Sequence, residues 1–553
     1  MAGPRTALAV LFLFILTNCE RAPAPAPNAA APGQSKNAPS ADDFGDVFIG
    51  ATIGEASNLI PFLSSDASSG AISDAVFASL LTVDKDMNII PGAAKRWEVS
   101  PDGLTLTFHL HDTIKWHDGV PFTAHDLVYQ YQMMIHPDVP SGYKDVFMQM
   151  ASAVAPDDHT FVVTFREPFA PALARLSGMT GLPRHLLKDV KPVDLIKSPL
   201  ARNPVGTGPW IFEDWKTQSQ ITLRANPDYY DGRPWIGRSV TRVIPDMATQ
   251  FLELKSGGID MMDLRPLQHL KQTDSEYFKE KYRKYRYLAN AYTYLGYNLK
   301  RPLFADKRVR QAISYAINKK EVIDGVLLGL GVEATGPFKP GHWAHNPHVK
   351  KYEYNPARAK ELLAEAGWRD SDNDGVLDKD GKRFEFEILT NQGNAERAKT
   401  AEIIQQRLKA VGIEVKARPL EWSAFINNFV NTRDFDALIL GWTLGLDPDQ
   451  YIIWHSSMTG EHQLNHVSYK NAEVDELLEK GRRVFDQDKR REYYFRFQEI
   501  LAEDQPYTFL YVPEALPIVS ARVRGIEPGL AGIGYNFEKW WIPKGEHLNA
   551  LAP

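Results

Sequence analysis

Hydrophobic and polar positions along this chain fall into two rhythms. Asp46-Val47-Phe48-Ile49-Gly50-Ala51-Thr52 reads as a first strand closed by turn residues. Leu104-Thr105-Leu106-Thr107-Phe108-His109-Leu110 alternates strictly and follows the turn sequence Ser100-Pro101-Asp102-Gly103, which predicts a hairpin from Trp97 onward. Elsewhere the period lengthens to that of a helix. Thr123 caps one predicted helix, with Asp126 at its third position and Leu127, Val128, Tyr131 and Met134 on one face. Asp306 caps another, whose apolar stripe is Val309, Ala312, Ile313, Ala316 and Ile317. Asn355-Pro356 opens a third, with Leu362 and Leu363 buried and Gly367 as its stop. A fourth runs from about Glu396 to Val411, ends at Gly412 and leads into a half-buried strand, Ile413 to Ala417. Leu438 to Thr443 reads as a buried strand emerging into a loop. Strands and helices alternate in several places, which predicts a multi-domain α/β protein with helix-covered sheets.

The amino terminus follows neither rhythm. Ala7 to Leu16 is a continuous apolar run preceded by Arg5, too short for the roughly 20 residues of a membrane span but suited to a signal peptide. Leu16-Thr17-Asn18-Cys19 resembles a bacterial lipobox, with Asn18 standing where Gly, Ala or Ser is usual. Cys19 is the only cysteine in the chain and is expected to be acylated, so that residues 1–18 are removed and lipid becomes the anchor. The plainer alternative is an incidental cysteine behind an ordinary secretory signal. Residues 19–43 are rich in Ala and Pro and read as an extended stalk, rising about 3.1 Å per residue where polyproline II forms.

The rest of the chain is rich in aromatic residues and lacks cysteine, so an exported body must be stabilised by packing. A net charge of -6 without a basic block argues against nucleic acid as a partner.

Several blocks together resemble a known family. Trp97-Glu98-Val99-Ser100-Pro101-Asp102-Gly103-Leu104-Thr105 and Lys115-Trp116-His117-Asp118-Gly119-Val120-Pro121-Phe122-Thr123-Ala124 look like the signature of family 5 extracellular solute-binding proteins, the oligopeptide- and dipeptide-type receptors of bacterial ABC importers. Asn203 to Pro209, Asn226 to Tyr230, Val309 to Ile313, and Tyr354-Asn355-Pro356 agree in the same order. The resemblance implies an α/β, three-domain, two-lobe periplasmic-binding-protein fold of type II and the peptide-binding class, with the ligand cleft between lobes. Domain I would comprise 44–82, 197–295 and 508–553, domain II 83–196, and domain III 296–507. Ligand touching both lobes would favour the closed state.

The same resemblance places the cleft at Gly441, Trp442 and Thr443, where an extended peptide would pair main chain to main chain. Ser65, Asp66 and Ala67 would form the opposite lip. Family members hold the peptide amine with an Asp three residues after this tryptophan, but Gly445 occupies that position. Asp447 is the carboxylate expected to substitute, with a plain Asp-Pro turn as its alternative. Trp454-His455 could line the pocket or pack as an aromatic hairpin.

Other motifs lead away from catalysis and cofactors. Asp370, Asp372, Asp374 and Asp378 open like a calcium loop, but Gly381 stands where the closing Glu belongs, so an acidic turn is expected. His109 with His111, and His342 with His345, lack a zinc pattern, and no metal or other cofactor is expected. No nucleophile elbow, P-loop or dinucleotide fingerprint is present in the sequence. The expected function is therefore a monomeric, non-enzymatic, lipid-anchored receptor in the periplasm or at the cell surface, which passes oligopeptide to an ABC permease. The alternatives are the same scaffold carrying an oligosaccharide, opine-like conjugate or metal chelate, and, from another class, a cell-envelope hydrolase.

Overall fold

The computed structural model describes residues 39–64 and 66–548. Cys19, the signal segment and most of the stalk lie outside the described residues, as does Ser65.

Strand β1 (Gly45–Thr52) forms where its alternation predicts, and helix α1 (Ala67–Val76) follows it. The next strands are β2 (Ala94–Val99), β3 (Thr105–Leu110), β4 (Met150–Asp157) and β5 (Thr160–Phe165), ordered β2-β3-β5-β4 in one antiparallel sheet. Helix α2 (Ala124–Ile135) packs on this sheet, with Leu127 and Met134 buried. Its capping box is formed, and the Thr123 N–H donates to the Asp126 carboxylate at 2.9 Å.

The chain then returns to β1. Strands β6 (Trp210–Lys216), β7 (Gln220–Ala225) and β8 (Ile236–Val243) give the order β1-β8-β7-β6, with β1 parallel to β8. His117 clips the two sheets' connections together: its Nδ1 accepts from the Gly206 N–H at 3.2 Å and its Nε2 lies 3.1 Å from the Gly208 carbonyl. Two of the quoted signature blocks thus meet at one imidazole.

Strands β9 (Met261–Asp263) and β10 (Tyr282–Lys284) lead into β11 (Ala291–Tyr297). Helices α3 (Lys307–Ala316), α4 (Pro356–Glu365) and α5 (Ala395–Lys409) alternate with β12 (Glu385–Asn391), β13 (Glu414–Leu420) and β14 (Ala437–Thr443). Side chains of Asp306, Asn355 and Asn394 cap the three helices. Helices α6 (Ala472–Gly481) and α7 (Gln487–Asp504) precede β15 (Tyr507–Ala515) and β16 (Pro517–Ser520).

Strands β15, β11, β14, β12 and β13 lie in that order in a large mixed sheet. One face packs on Val309, Ile313, Leu363 and Ile404 from α3, α4 and α5, and the other on Leu478, Phe497 and Leu501 from α6 and α7. A smaller sheet has the order β9-β16-β10. Two antiparallel segments connect it to the large one: the Tyr285 N–H donates to Pro517 O and the Ala289 N–H to Pro513 O, both at 2.9 Å. The boundaries read from sequence at 295/296 and 507/508 fall inside β11 and β15, each paired within the large sheet. Among the described residues no helix is long and apolar enough to cross a membrane.

Candidate ligand cleft

Period-two alternation sorts the end of β14 onto two faces. Leu438 and Leu440 join the core beneath α6 and α7, and Ala437 and Ile439 join the core beneath α3 to α5. Trp442 falls on the first face and Gly441 and Thr443 on the second. The Trp442 ring is half-buried, stacks on His466 with centroids 5.3 Å apart, and donates its Nε1–H to the Tyr507 hydroxyl at 3.3 Å. Burial, aided by the Arg433 charge, pushes the His466 pKa down to about 3, so the stacked imidazole is neutral. Gly441 is required by close approach. A Cβ there would lie 2.8 Å from the Tyr292 carbonyl oxygen and 3.3 Å from the Arg397 guanidinium.

The two edges of β14 are unequal. Strand β11 accompanies it from Ala437 to Thr443, whereas β12 pairs with it only at Ala437 and Leu438. Beyond Leu438 no backbone pairing joins β14 to β12 among the described residues, although Thr390, still within β12, donates its hydroxyl to the Ile439 carbonyl at 3.5 Å. Backbone donors and acceptors on such an edge are a template for an added strand.

Arg397 stands beside this edge, in the first turn of α5, with its Nη1 donating to Asn391 Oδ1 at 2.8 Å. Among the described residues it forms no ion pair, while the adjacent Glu396 is taken by Arg265 at 3.1 Å. Burial pushes the Arg397 pKa down, partly offset by Tyr511 and Tyr294, yet a guanidinium starts so high that it stays charged. A half-buried cation without an anion is costly, and a ligand carboxylate would supply the missing charge.

The carboxylates of Asp447 and Asp66 are both engaged within the chain. Both oxygens of Asp447 accept from Arg490, at 2.7 and 2.8 Å, in a nearly buried bidentate pair. An amine there would have to displace a guanidinium, which weighs against the expectation that Asp447 replaces the missing amine-binding Asp. Asp66 is the N-cap of α1 and is buried, accepting from the Ser69 N–H at 2.8 Å and from the Ser57 and Ser69 hydroxyls at 2.6 and 2.7 Å. Its helix-capping role accounts for its acceptor capacity. Ala67 and Thr443 are exposed. Trp454 is fully buried, tilted against Tyr507 with centroids 4.5 Å apart, and belongs to the core.

Asp370, Asp372 and Asp374 bring one oxygen each within 4.8 Å of one another on the exposed surface. Their carboxylates accept backbone N–H groups of the same turn, Arg383 pairs with Asp374, and Asp378 faces Ser371 instead of the other three.

Residues 88–463 match the model of the bacterial extracellular solute-binding proteins, family 5, middle region. The chain belongs to this family. It is 35% identical over 517 residues to the oligopeptide-binding protein AppA of Bacillus subtilis, covering 92% of this chain and 94% of that protein. The solved structure of Bacillus subtilis AppA with a nonapeptide superposes with a TM-score of 0.86 at 33% identity, over 91% of this chain and 99% of that one. NikZ of Campylobacter jejuni, solved with Ni(L-His), gives a TM-score of 0.82 at 28% identity, over 90% and 99%. The fold is accordingly the multi-domain, two-lobe type II fold of this family.

Arg397 was not singled out by sequence reading. One arginine among many carries no local mark; its lack of a carboxylate partner among the described residues exists only once α5 is packed beside β14.

Proposed function

We propose that this chain is a receptor that captures oligopeptide by adding it as a strand to the open edge of β14 and delivers it to an ABC permease. The observation that carries this reading is the edge of β14 beyond Ile439, which pairs with no strand on the β12 side among the described residues and is flanked by the Trp442 ring and by Arg397, which forms no ion pair among them. Backbone pairing would supply affinity independent of side chains, and Arg397 would meet a carboxylate of the ligand. The peptide-bound Bacillus subtilis relative supports the cargo class. Gly441, Trp442 and Thr443 would line one wall, and Ser65 to Ala67 the other lip. In this reading 44–82, 197–295 and 508–553 make domain I, 83–196 domain II and 296–507 domain III, with the crossing strands near Tyr285–Ala289 and Pro513–Pro517 as the hinge. Cys19 would carry the lipid that tethers the body to a membrane at the periplasmic or outer face, and the chain would perform no catalysis.

One observation favours a second reading. The carboxylates of the Gly441–Asp449 segment are paired internally and Arg397 is not, a balance that also suits a small anionic solute or chelate. The deciding experiment is to purify the protein, denature it and determine the masses it releases. Peptides are the expected result; a sugar or a metal chelate would overturn the oligopeptide reading. Incubating the native protein with a synthetic nonapeptide is expected to leave the peptide intact.

A further inference from the structure

The segment 83–196 meets the segment 296–507 through a buried charged network set beside apolar contact, Tyr143 packing on the core beneath α6 and α7. Arg482, immediately after α6, is 4% exposed, Asp449 is 4% exposed and Asp145 is 7% exposed. The Arg482 guanidinium donates Nη2 to Asp449 Oδ2 at 3.0 Å and Nη1 to Asp145 Oδ1 at 3.2 Å. It lies between two rings, with Tyr451 centred 4.0 Å away and Phe169 4.9 Å away. Arg175 donates Nη2 to Asp449 Oδ2 at 3.0 Å and to the Asp449 carbonyl at 3.1 Å. The Ala170 N–H donates to the Arg482 carbonyl at 2.6 Å, Arg483 pairs with Glu167 at 2.5 Å, and the Phe485 ring rests over Gly103.

Each side contributes one cation and one anion: Arg175 and Asp145 from 83–196, Asp449 and Arg482 from 296–507. On separation Arg482 and Asp449 keep each other, while Arg175 and Asp145 return to water. A buried ion network adds little net stability, because desolvation offsets Coulomb attraction, but it is directional and fits in one register. An apolar joint of the same extent would be harder to part. Asp449 also follows Trp442 and Asp447 on the same loop, and its N–H donates to Asp447 Oδ1 at 2.9 Å. The network therefore fixes the loop that borders the open edge of β14.

We propose that Arg175, Asp145, Asp449 and Arg482 form a reversible latch between domain II and domain III, which closes together with the cleft and orders the loop from Gly441 to Asp449. This rests on the two-lobe closure proposed above. Arg175 and Arg482 are then positioning residues, acting on ligand through that loop.

The test uses the full-length protein and hydrogen exchange. Ala170 reports the joint, while peptides spanning β3 and β14 report the two cores. In Arg175→Met and Asp145→Asn, exchange at Ala170 is expected to accelerate about tenfold or more with both cores unchanged. Arg483→Met, altering only the exposed pair with Glu167, is the control and is expected to leave Ala170 unchanged. Unaltered Ala170 exchange in both test variants would overturn the latch, and so would loss of protection in β3 or β14, which would make the network part of a permanent core. Solution scattering of the wild type with and without a synthetic nonapeptide tests closure separately. An unchanged radius of gyration there would count against two-lobe closure, whatever Ala170 shows.

Discussion

Both carboxylate oxygens of Asp447 are held by the guanidinium of Arg490, at 2.7 and 2.8 Å, with little of either side chain exposed. This pairing decides how the absence of an acid at Gly445 is read. We propose that Asp447 stabilises the loop beside β14 instead of meeting a ligand amine. Asp447→Asn is therefore expected to lower unfolding free energy by about 3 kcal/mol, since it leaves a buried guanidinium uncompensated. It is also expected to leave unchanged the affinity ratio between a free-amine nonapeptide and its N-acetylated form. Denaturant unfolding and calorimetric titration check the two halves. A selective loss for the free amine would restore Asp447 as the amine partner.

Arg397 is the opposite case, a cation beside the open strand edge with no carboxylate of its own among the described residues. Arg397→Met is expected to weaken binding of a free-acid nonapeptide by about 10- to 100-fold, the range of a hydrogen bond to a charged group. The C-terminally amidated peptide should lose much less. Equal losses for both would show that Arg397 shapes the wall without meeting a carboxylate.

Trp442 is held to the core through His466 and Tyr507 and is half-buried, and we propose that its open side faces the cleft. Trp442→Ala is expected to cost about 2 kcal/mol or more in nonapeptide affinity if the ring is an anchor. Trp442→Phe should recover part of the affinity while still lacking the donor to Tyr507. Titration of both variants, with thermal unfolding alongside, separates lost contact from lost fold.

Elements whose cause is local were legible in the sequence. The strand from Asp46, the hairpin at Asp102-Gly103 and the helices capped by Thr123, Asp306 and Asn355 occur where turn chemistry and periodicity place them. At Gly441 the Tyr292 carbonyl comes within 2.8 Å of where a Cβ would stand, which only the absence of a side chain permits. The charged groups were less legible. Asp66, Asp447 and Arg397 look alike in a sequence, as isolated ionisable residues near a loop or helix start. What separates them is partnership: serine donors nearby in the chain for Asp66, a guanidinium 43 residues away for Asp447, and for Arg397 an amide oxygen but no carboxylate among the described residues. Domain limits were hard for a similar reason. Strands β11 and β15 are continuous with the crossing segments, so no change of composition marks where one sheet hands the chain to the other.

His117 gives a prediction about acid. Its pKa is pushed down to about 4 chiefly by burial, with the Gly208 carbonyl acting in the other direction. The Gly206 N–H needs an unprotonated Nδ1, so the folded protein holds the imidazole neutral with its proton on Nε2 toward Gly208. The unfolded chain titrates near the ordinary value of about 6.5 and takes up a proton first. Stability from this group is therefore fully present above about pH 6.5 and declines as the pH falls toward 4, below which both states are protonated and the slope vanishes. His117→Gln should flatten that part of the profile. The measurement is the denaturant midpoint from pH 7 to 4 for wild type and variant, taken as a difference so that carboxylates and the other buried histidines cancel. A parallel pair of curves would mean that His117 is not held neutral, and that the joint between its hairpin and the Gly206–Gly208 turn is maintained by the backbone bond from the His117 N–H to the Gly206 carbonyl alone.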